Sequence, residues 1–287
     1  MNNALEIKGL NKEYKNKQFK LDHVSFSLPA GAIMGFVGEN GAGKSTTIKC
    51  ILNTIIKDKG SVKVFGEEMT DKSTKLRDDI GVVYDSNSFP VRFTPQQISK
   101  AMGFIYTKWD KELFASYLNK FKLPVDKPIK TFSRGMGMKF GVAVAMSHHP
   151  KLLILDEATS GLDPIVRDDI LEVFQDFVQD ENHSILLSSH ITSDLEKIAD
   201  YITFIHEGKI IYTGMKDTLT DDYGVMRLTS AQFEALEKDD IVTYRKHDYQ
   251  IDVLVANRHM IEKKYKDAII DHVSIEEIML LLVKGAK

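Results

Sequence analysis

One cysteine, Cys50, stands in 287 residues, so no disulfide can close within the chain and a reducing cytoplasm suits it better than an oxidising exterior. Alone among its neighbours, Cys50 reads as a small buried hydrophobe. Missing too is any apolar run near the ~20 residues that a membrane-spanning helix needs. The longest, such as Ile278 to Val283, have the length of core segments. Met1 to Lys20 is polar and charged, so no signal peptide is expected. Charge of one sign is not in large excess. Lys and Arg number 38 against 41 Asp and Glu, a formal net charge of −3, which argues against a general nucleic-acid surface, and no nucleic-acid partner is expected. With 43% hydrophobic and 28% charged residues, neither disorder nor a fibrous repeat is suggested, and a compact soluble protein follows.

What is present alternates between strand-like and helix-like stretches. Leu5 to Leu10, Val24 to Leu28 and Ala32 to Val37 read as strands punctuated by Pro29 and Gly31, with another over Ser61 to Phe65. Ser45 to Ile56 carries apolar residues at helical spacing. Pro95 to about His149 is mainly helical, broken at Pro124 and Pro128, and Leu152 to Leu155 is a continuous apolar run of the kind a buried parallel strand shows. Ile165 to Val178 and Ile191 to Ala199 read as helices. Ser184 to Leu187 reads as a strand, and Ile202 to Ile205 pairs with Lys209 to Tyr212 around Glu207 and Gly208. The fold class is α/β, a mainly parallel sheet covered by helices, with an antiparallel β portion at the start and a helical insert over about 90–150. After Gly214 the character changes. A boundary near Leu219 separates a core domain, 1–218, from a small C-terminal α/β extension, 219–287.

Gly38-Glu39-Asn40-Gly41-Ala42-Gly43-Lys44-Ser45 fits the phosphate-binding P-loop pattern and lies where that loop works, after a strand and before a helix. Glycines let backbone N–H groups wrap phosphate oxygens, and the helix N-terminus adds a favourable dipole. Lys44 then reaches the β- and γ-phosphates and the Ser45 hydroxyl ligates Mg²⁺. Gly38, Asn40, Gly41, Gly43, Lys44, Ser45 and Thr46 are the expected nucleotide contacts. Such a loop needs an acidic partner for the metal, and Asp156 supplies it at the end of the Leu152 to Leu155 run. Glu157, next to it, is placed to orient or deprotonate an attacking water.

In their order these elements resemble the ABC-transporter ATPases, a branch of the P-loop NTPases, over roughly Leu5 to Gly214. The resemblance implies ATP and Mg²⁺ as ligands, and it assigns roles. Ser160-Gly161-Leu162-Asp163 corresponds to the D-loop, His190 to the switch histidine that contacts the γ-phosphate, and Tyr14 to the aromatic that stacks on adenine. It also implies a head-to-tail pair, with a second copy or another ABC ATPase, in which each P-loop faces the partner's signature segment. A separate multi-span transmembrane subunit then follows, with this chain at the cytoplasmic face of the cell membrane. The alternative is a soluble ABC ATPase acting on ribosomes or DNA. Ribosomal members generally carry two ATPase domains in one chain, and one P-loop stands here.

Two segments depart from the family pattern. The usual Leu-Ser-Gly-Gly-Gln signature reads Phe132-Ser133-Arg134-Gly135-Met136, which leaves Ser133 and Gly135 as nucleotide contacts. Arg134 can reach across the pair to the opposite phosphate or point into solvent, and the first is expected because a cation is drawn to the nucleotide. The Q-loop glutamine is replaced by Asp85 after Ile80-Gly81-Val82-Val83-Tyr84, and Asp85 is expected as a further metal ligand. The ending Val273 to Ile278 resembles the Gram-positive exporters of antimicrobial peptides and drugs, phenol-soluble-modulin exporter ATPases among them. His148 and His149 read as a loop ahead of Pro150 with no metal role, Lys15, Lys17 and Lys20 as a solvated face, and Met136, Met138 and Met146 as packing residues.

Overall fold

The structure, a computed structural model, describes residues 2–14, 19–85, 89–266 and 268–286, so Lys15 and Lys17 lie outside the described residues. The chain forms two compact units, Met1–Ile210 and Ile211–Lys287.

The first unit begins with an antiparallel sheet. Strands β1 (Asn3–Glu13), β2 (Lys20–Pro29), β4 (Lys59–Val64) and β5 (Glu67–Glu68) pair in the order β2-β1-β4-β5. Their alternating buried and exposed positions fit a sheet with one covered face. Behind it lies the six-stranded sheet, made of β3 (Ile33–Val37), β6 (Ile80–Val83), β7 (Leu152–Asp156), β8 (Ser184–Ser189), β9 (Tyr201–His206) and β10 (Lys209–Met215), in the order β10-β9-β3-β8-β7-β6. The pairs from β9 through β6 are parallel. Every residue of β3, β7 and β8 is buried, which is why Leu152 to Leu155 of β7 reads as an unbroken apolar run, while β8 buries three serines around Ile185 to Leu187.

Helices α1 (Lys44–Ile51) and α2 (Thr74–Asp78) precede the helical insert, which holds α3 (Pro95–Ile105), α4 (Lys111–Lys120) and α5 (Arg134–Met146). α6 (Pro164–Phe177) and α7 (Thr192–Ile198) cross between the later parallel strands. α1 stops earlier than the apolar spacing suggested. Asn53 takes a left-handed φ of 54°, a usual way to end a helix. Cys50 is 1% exposed on α1, and burial pushes its thiol up to about 11. His148, expected in a loop, is buried. It stacks on Tyr106 with ring centroids 3.9 Å apart, and its Nδ1 sits 3.1 Å from the Asp78 carbonyl. Met138 and Met146 are buried as packing residues, while Lys20 is exposed.

The second unit holds β11 (Gly224–Leu228), β12 (Thr243–Lys246), β13 (Ile251–Val255) and β14 (Ile270–Asp271), antiparallel in the order β12-β13-β11-β14. α8 (Lys216–Asp222), α9 (Ser230–Glu234), α10 (Arg258–Lys264) and α11 (Ile275–Lys284) accompany it. Its core includes Met226, Leu228, Ile251, Val253 and Val255. The boundary expected near Leu219 falls inside α8, where Leu219 is fully buried; the acidic run is a helix, and the division lies at Ile210 and Ile211. Among the described residues no helix is long and apolar enough to cross a membrane.

Candidate nucleotide site

Parallel strands present their carboxyl ends on one edge, where loops gather to bind ligands. β3 pairs with β8 so that Val37 meets Ser189, and β7 pairs with β8 so that Asp156 meets Ser188. The P-loop therefore leaves β3 on the same edge as the acidic end of β7, with β8 between them. Gly43 has φ 115°, closed to other residues, and a Cβ there would meet Phe19 Cζ at 2.8 Å and Leu21 Cδ2 at 2.7 Å. A Cβ on Gly38 would lie 2.5 Å from the Ile205 carbonyl, while Gly41, at φ 86°, has open space before it. The loop is thus packed from behind and open in front, as a phosphate cradle requires. Asn40, Gly41 and Ser45 are exposed on this open side and Thr46 is half-buried.

Lys44 is only 6% exposed. Its ammonium donates to the Gly38 carbonyl at 2.7 Å and to the Glu39 carbonyl at 3.3 Å, so the loop itself holds the cation. Nζ also lies 3.1 Å from Glu157 Oε1. That approach lacks hydrogen-bond direction, and Oε1 remains a buried oxygen with no hydrogen-bond partner. The other oxygen, Oε2, lies 2.6 Å from His190 Nδ1. Glu157 adopts φ 56°, uncommon for a non-glycine residue. Its backbone N–H holds it there by donating to the Ser188 carbonyl at 3.1 Å and to Ser188 Oγ at 3.2 Å.

Ser188 Oγ donates in turn to Asp156 Oδ1 at 2.7 Å, so one serine orients the Asp156 carboxylate and holds the Glu157 backbone. The residue pattern gave no notice of Ser188, one of three buried serines on the strand beside β7. Asp156 is 8% exposed. Among the described residues no cluster of three His, Cys, Asp or Glu side chains could hold a metal. Ser45, Asp156 and phosphate oxygens suit Mg²⁺, which takes few carboxylates and keeps waters.

The remaining expected residues lie elsewhere. Asp85 is not free for a metal, since its Oδ1 lies 2.6 Å from an Arg134 terminal nitrogen. Arg134 therefore pairs within its own chain and does not point freely into solvent. Ser133 caps α5, its Oγ accepting from the Met136 N–H at 3.2 Å, and a Cβ on Gly135 would crowd Val166 at 3.2 Å. Tyr14 is 37% exposed just beyond β1, and its N–H donates to the Phe19 carbonyl at 3.5 Å. Phe19, missed in the sequence, lies against Gly43 and lines a 460 Å³ cleft with Lys20, Glu39, Asn40 and His206.

The sequence matches the family described as ABC transporter over residues 21–160. It is 36% identical over 209 residues to a lantibiotic transport ATP-binding protein of Streptococcus pyogenes, covering 72% of this chain and 89% of that one. It is 33% identical over 213 residues to a bacitracin transport ATP-binding protein of Bacillus licheniformis, covering 74% of this chain and 69% of that one. A solved structure of the ATP-binding subunit of an ABC transporter superposes with a TM-score of 0.69 at 26% identity, covering 76% of this chain and 92% of the other. With its P-loop, paired carboxylates and parallel sheet, the chain belongs to the ABC-transporter ATP-binding proteins and is an ATP-hydrolysing subunit of a transporter.

Proposed function

We infer that this subunit powers the export of peptides or drugs through a separate multi-span membrane partner, bound at the cytoplasmic face of the membrane. The names of its relatives, which transport a lantibiotic and bacitracin, support that substrate class. The observation that carries the chemistry is the buried Glu157 Oε1, ion-paired 3.1 Å from the Lys44 ammonium and accepting no hydrogen bond. Lys44 binds the β- and γ-phosphates, and the open face of Gly41 admits them. Glu157 orients the attacking water and takes its proton at Oε1. His190, through Nδ1, keeps the carboxylate turned toward that water. Ser45 and Asp156 would hold Mg²⁺, which would supply positive charge to offset that of the phosphates. Phe19 or Tyr14 offers the aromatic face for adenine.

The first unit acts as the ABC nucleotide-binding domain and the second as an accessory extension. Two ATPase chains, identical or different, close head to tail on ATP and reopen after hydrolysis, which shifts the membrane partner between its two states. Purification from detergent-solubilised membranes tests the reading. Recovery with a polytopic membrane protein is expected. Recovery with ribosomes or DNA instead contradicts it.

A further inference from the structure

Arg134 opens α5, where the helix dipole disfavours a positive charge. It nevertheless sits there with its guanidinium laid over the loop 160–163. A Cβ on Gly161 would meet Arg134 Cζ and Nη1 at 2.9 Å, so Gly161, at φ 65°, admits the guanidinium only because it has no side chain. The compensating anion comes from a third segment, since Asp85 Oδ1 lies 2.6 Å from the other terminal nitrogen. Asp85 can reach because β6 is pressed onto α5. A Cβ on Gly81 of β6 would lie 2.7 Å from the Ala145 carbonyl of α5.

We propose that Asp85 is a positioning residue: its carboxylate fixes the Arg134 guanidinium over Gly161, tying the segment after β6 to the head of α5 and the loop 160–163, and aims that cation for turnover. The inference rests on the head-to-tail reading above, in which the head of α5 faces the phosphates held by the opposite chain. One fork of the guanidinium is then taken by Asp85 and its flat face by Gly161, so the side chain meets the anion in a fixed orientation, at a lower cost in rotamer freedom. The pair is about half exposed, with side chains 52% and 55% accessible, so salt weakens it.

A double-mutant cycle tests this on the full chain, with steady-state ATP turnover measured against ATP, Mg²⁺ and salt. Asp85→Asn is expected to lower kcat by about two- to fivefold, the range of an exposed ion pair, with the Mg²⁺ requirement unmoved. Arg134→Ala is expected to lower it at least as far, and Asp85→Asn combined with Arg134→Ala to cost no more than Arg134→Ala alone. Asp85→Glu should recover most of the loss. In about 1 M salt, where screening acts within ~3 Å, the Asp85→Asn deficit should disappear. Additive losses, or a raised Mg²⁺ requirement in Asp85→Asn, would overturn the proposal and return Asp85 to the metal. Lys44→Ala separates the two failures, because a wild type no more active than Lys44→Ala refutes the ATPase reading itself.

Discussion

Lys44 spends two of its three donors on the loop carbonyls of Gly38 and Glu39, which keeps its charge at the mouth of the loop when no phosphate balances it. Replacing it with alanine removes the cation that stabilises charge on the transferred phosphoryl group. We predict that Lys44→Ala lowers ATP turnover by about 10²–10³-fold, as read by phosphate release. A second residue sets a pH limit on the fold. Burial, the larger influence, lowers the pKa of His148 despite the hydrogen bond to Asp78, so the neutral ring is the native form. The unfolded chain, with an ordinary histidine near 6.5, then binds the proton more readily. Its contribution to stability is therefore complete above about pH 6.5 and is lost as pH falls below it toward the lowered native pKa. We predict that wild type loses thermal stability between pH 7 and pH 5 more steeply than His148→Gln, as measured by melting temperature, on the scale of ordinary histidine titration (~6.5). At this scale the sequence was legible where chemistry is contiguous. The P-loop and the Asp156-Glu157 pair were readable because one short stretch carries each. Ser188, Phe19 and the Asp85–Arg134 pair were not, because their partners lie far along the chain, 31 residues for Ser188 and Glu157 and 49 for Asp85 and Arg134, and only sheet register and helix packing bring them together.

The elements that place the site are those whose periodicity is strongest. β3 and β7 declared themselves through their apolar residues since both faces of each strand are covered, and β8 through Ile185 to Leu187. Ends were less legible. α1 stops at Ile51 because Asn53 turns left-handed, and the stretch around Leu219, where a boundary was expected, is α8, anchored by its buried Leu219. The close contact of β6 and α5 is likewise invisible in the residue pattern, since it depends on one missing side chain. Gly81→Ala would place a methyl 2.6 Å from Leu153 Cδ2 and 2.7 Å from the Ala145 carbonyl, a backbone atom that cannot step aside. We predict a loss of about 1–3 kcal/mol in unfolding free energy, measured by denaturant titration, as expected for overpacking a tight contact. An unchanged midpoint would mean that α5 can slide along β6 without cost.

For the whole molecule, two compact units share one chain, and the residues expected to work on ATP, from Tyr14 to His190, belong to the first. The second has its own sheet and core, and nothing in its sequence pattern announced more than a small α/β extension, because short strands and short helices leave weak periodic signals. In the proposed head-to-tail reading, the closing of two ATPase chains on nucleotide joins chemistry to transport at this scale. In the proposed mechanism Glu157 is the residue on which the two events part, since the P-loop holds phosphate without it while its carboxylate takes the proton from water. The most direct measurement is therefore turnover together with molecular size for Glu157→Gln in ATP and Mg²⁺. The expected result is ATP binding retained, hydrolysis reduced by about 10²–10⁴-fold, and accumulation of an ATP-bound dimer. A Glu157→Gln protein that hydrolyses ATP at the wild-type rate and stays monomeric in saturating ATP would contradict it.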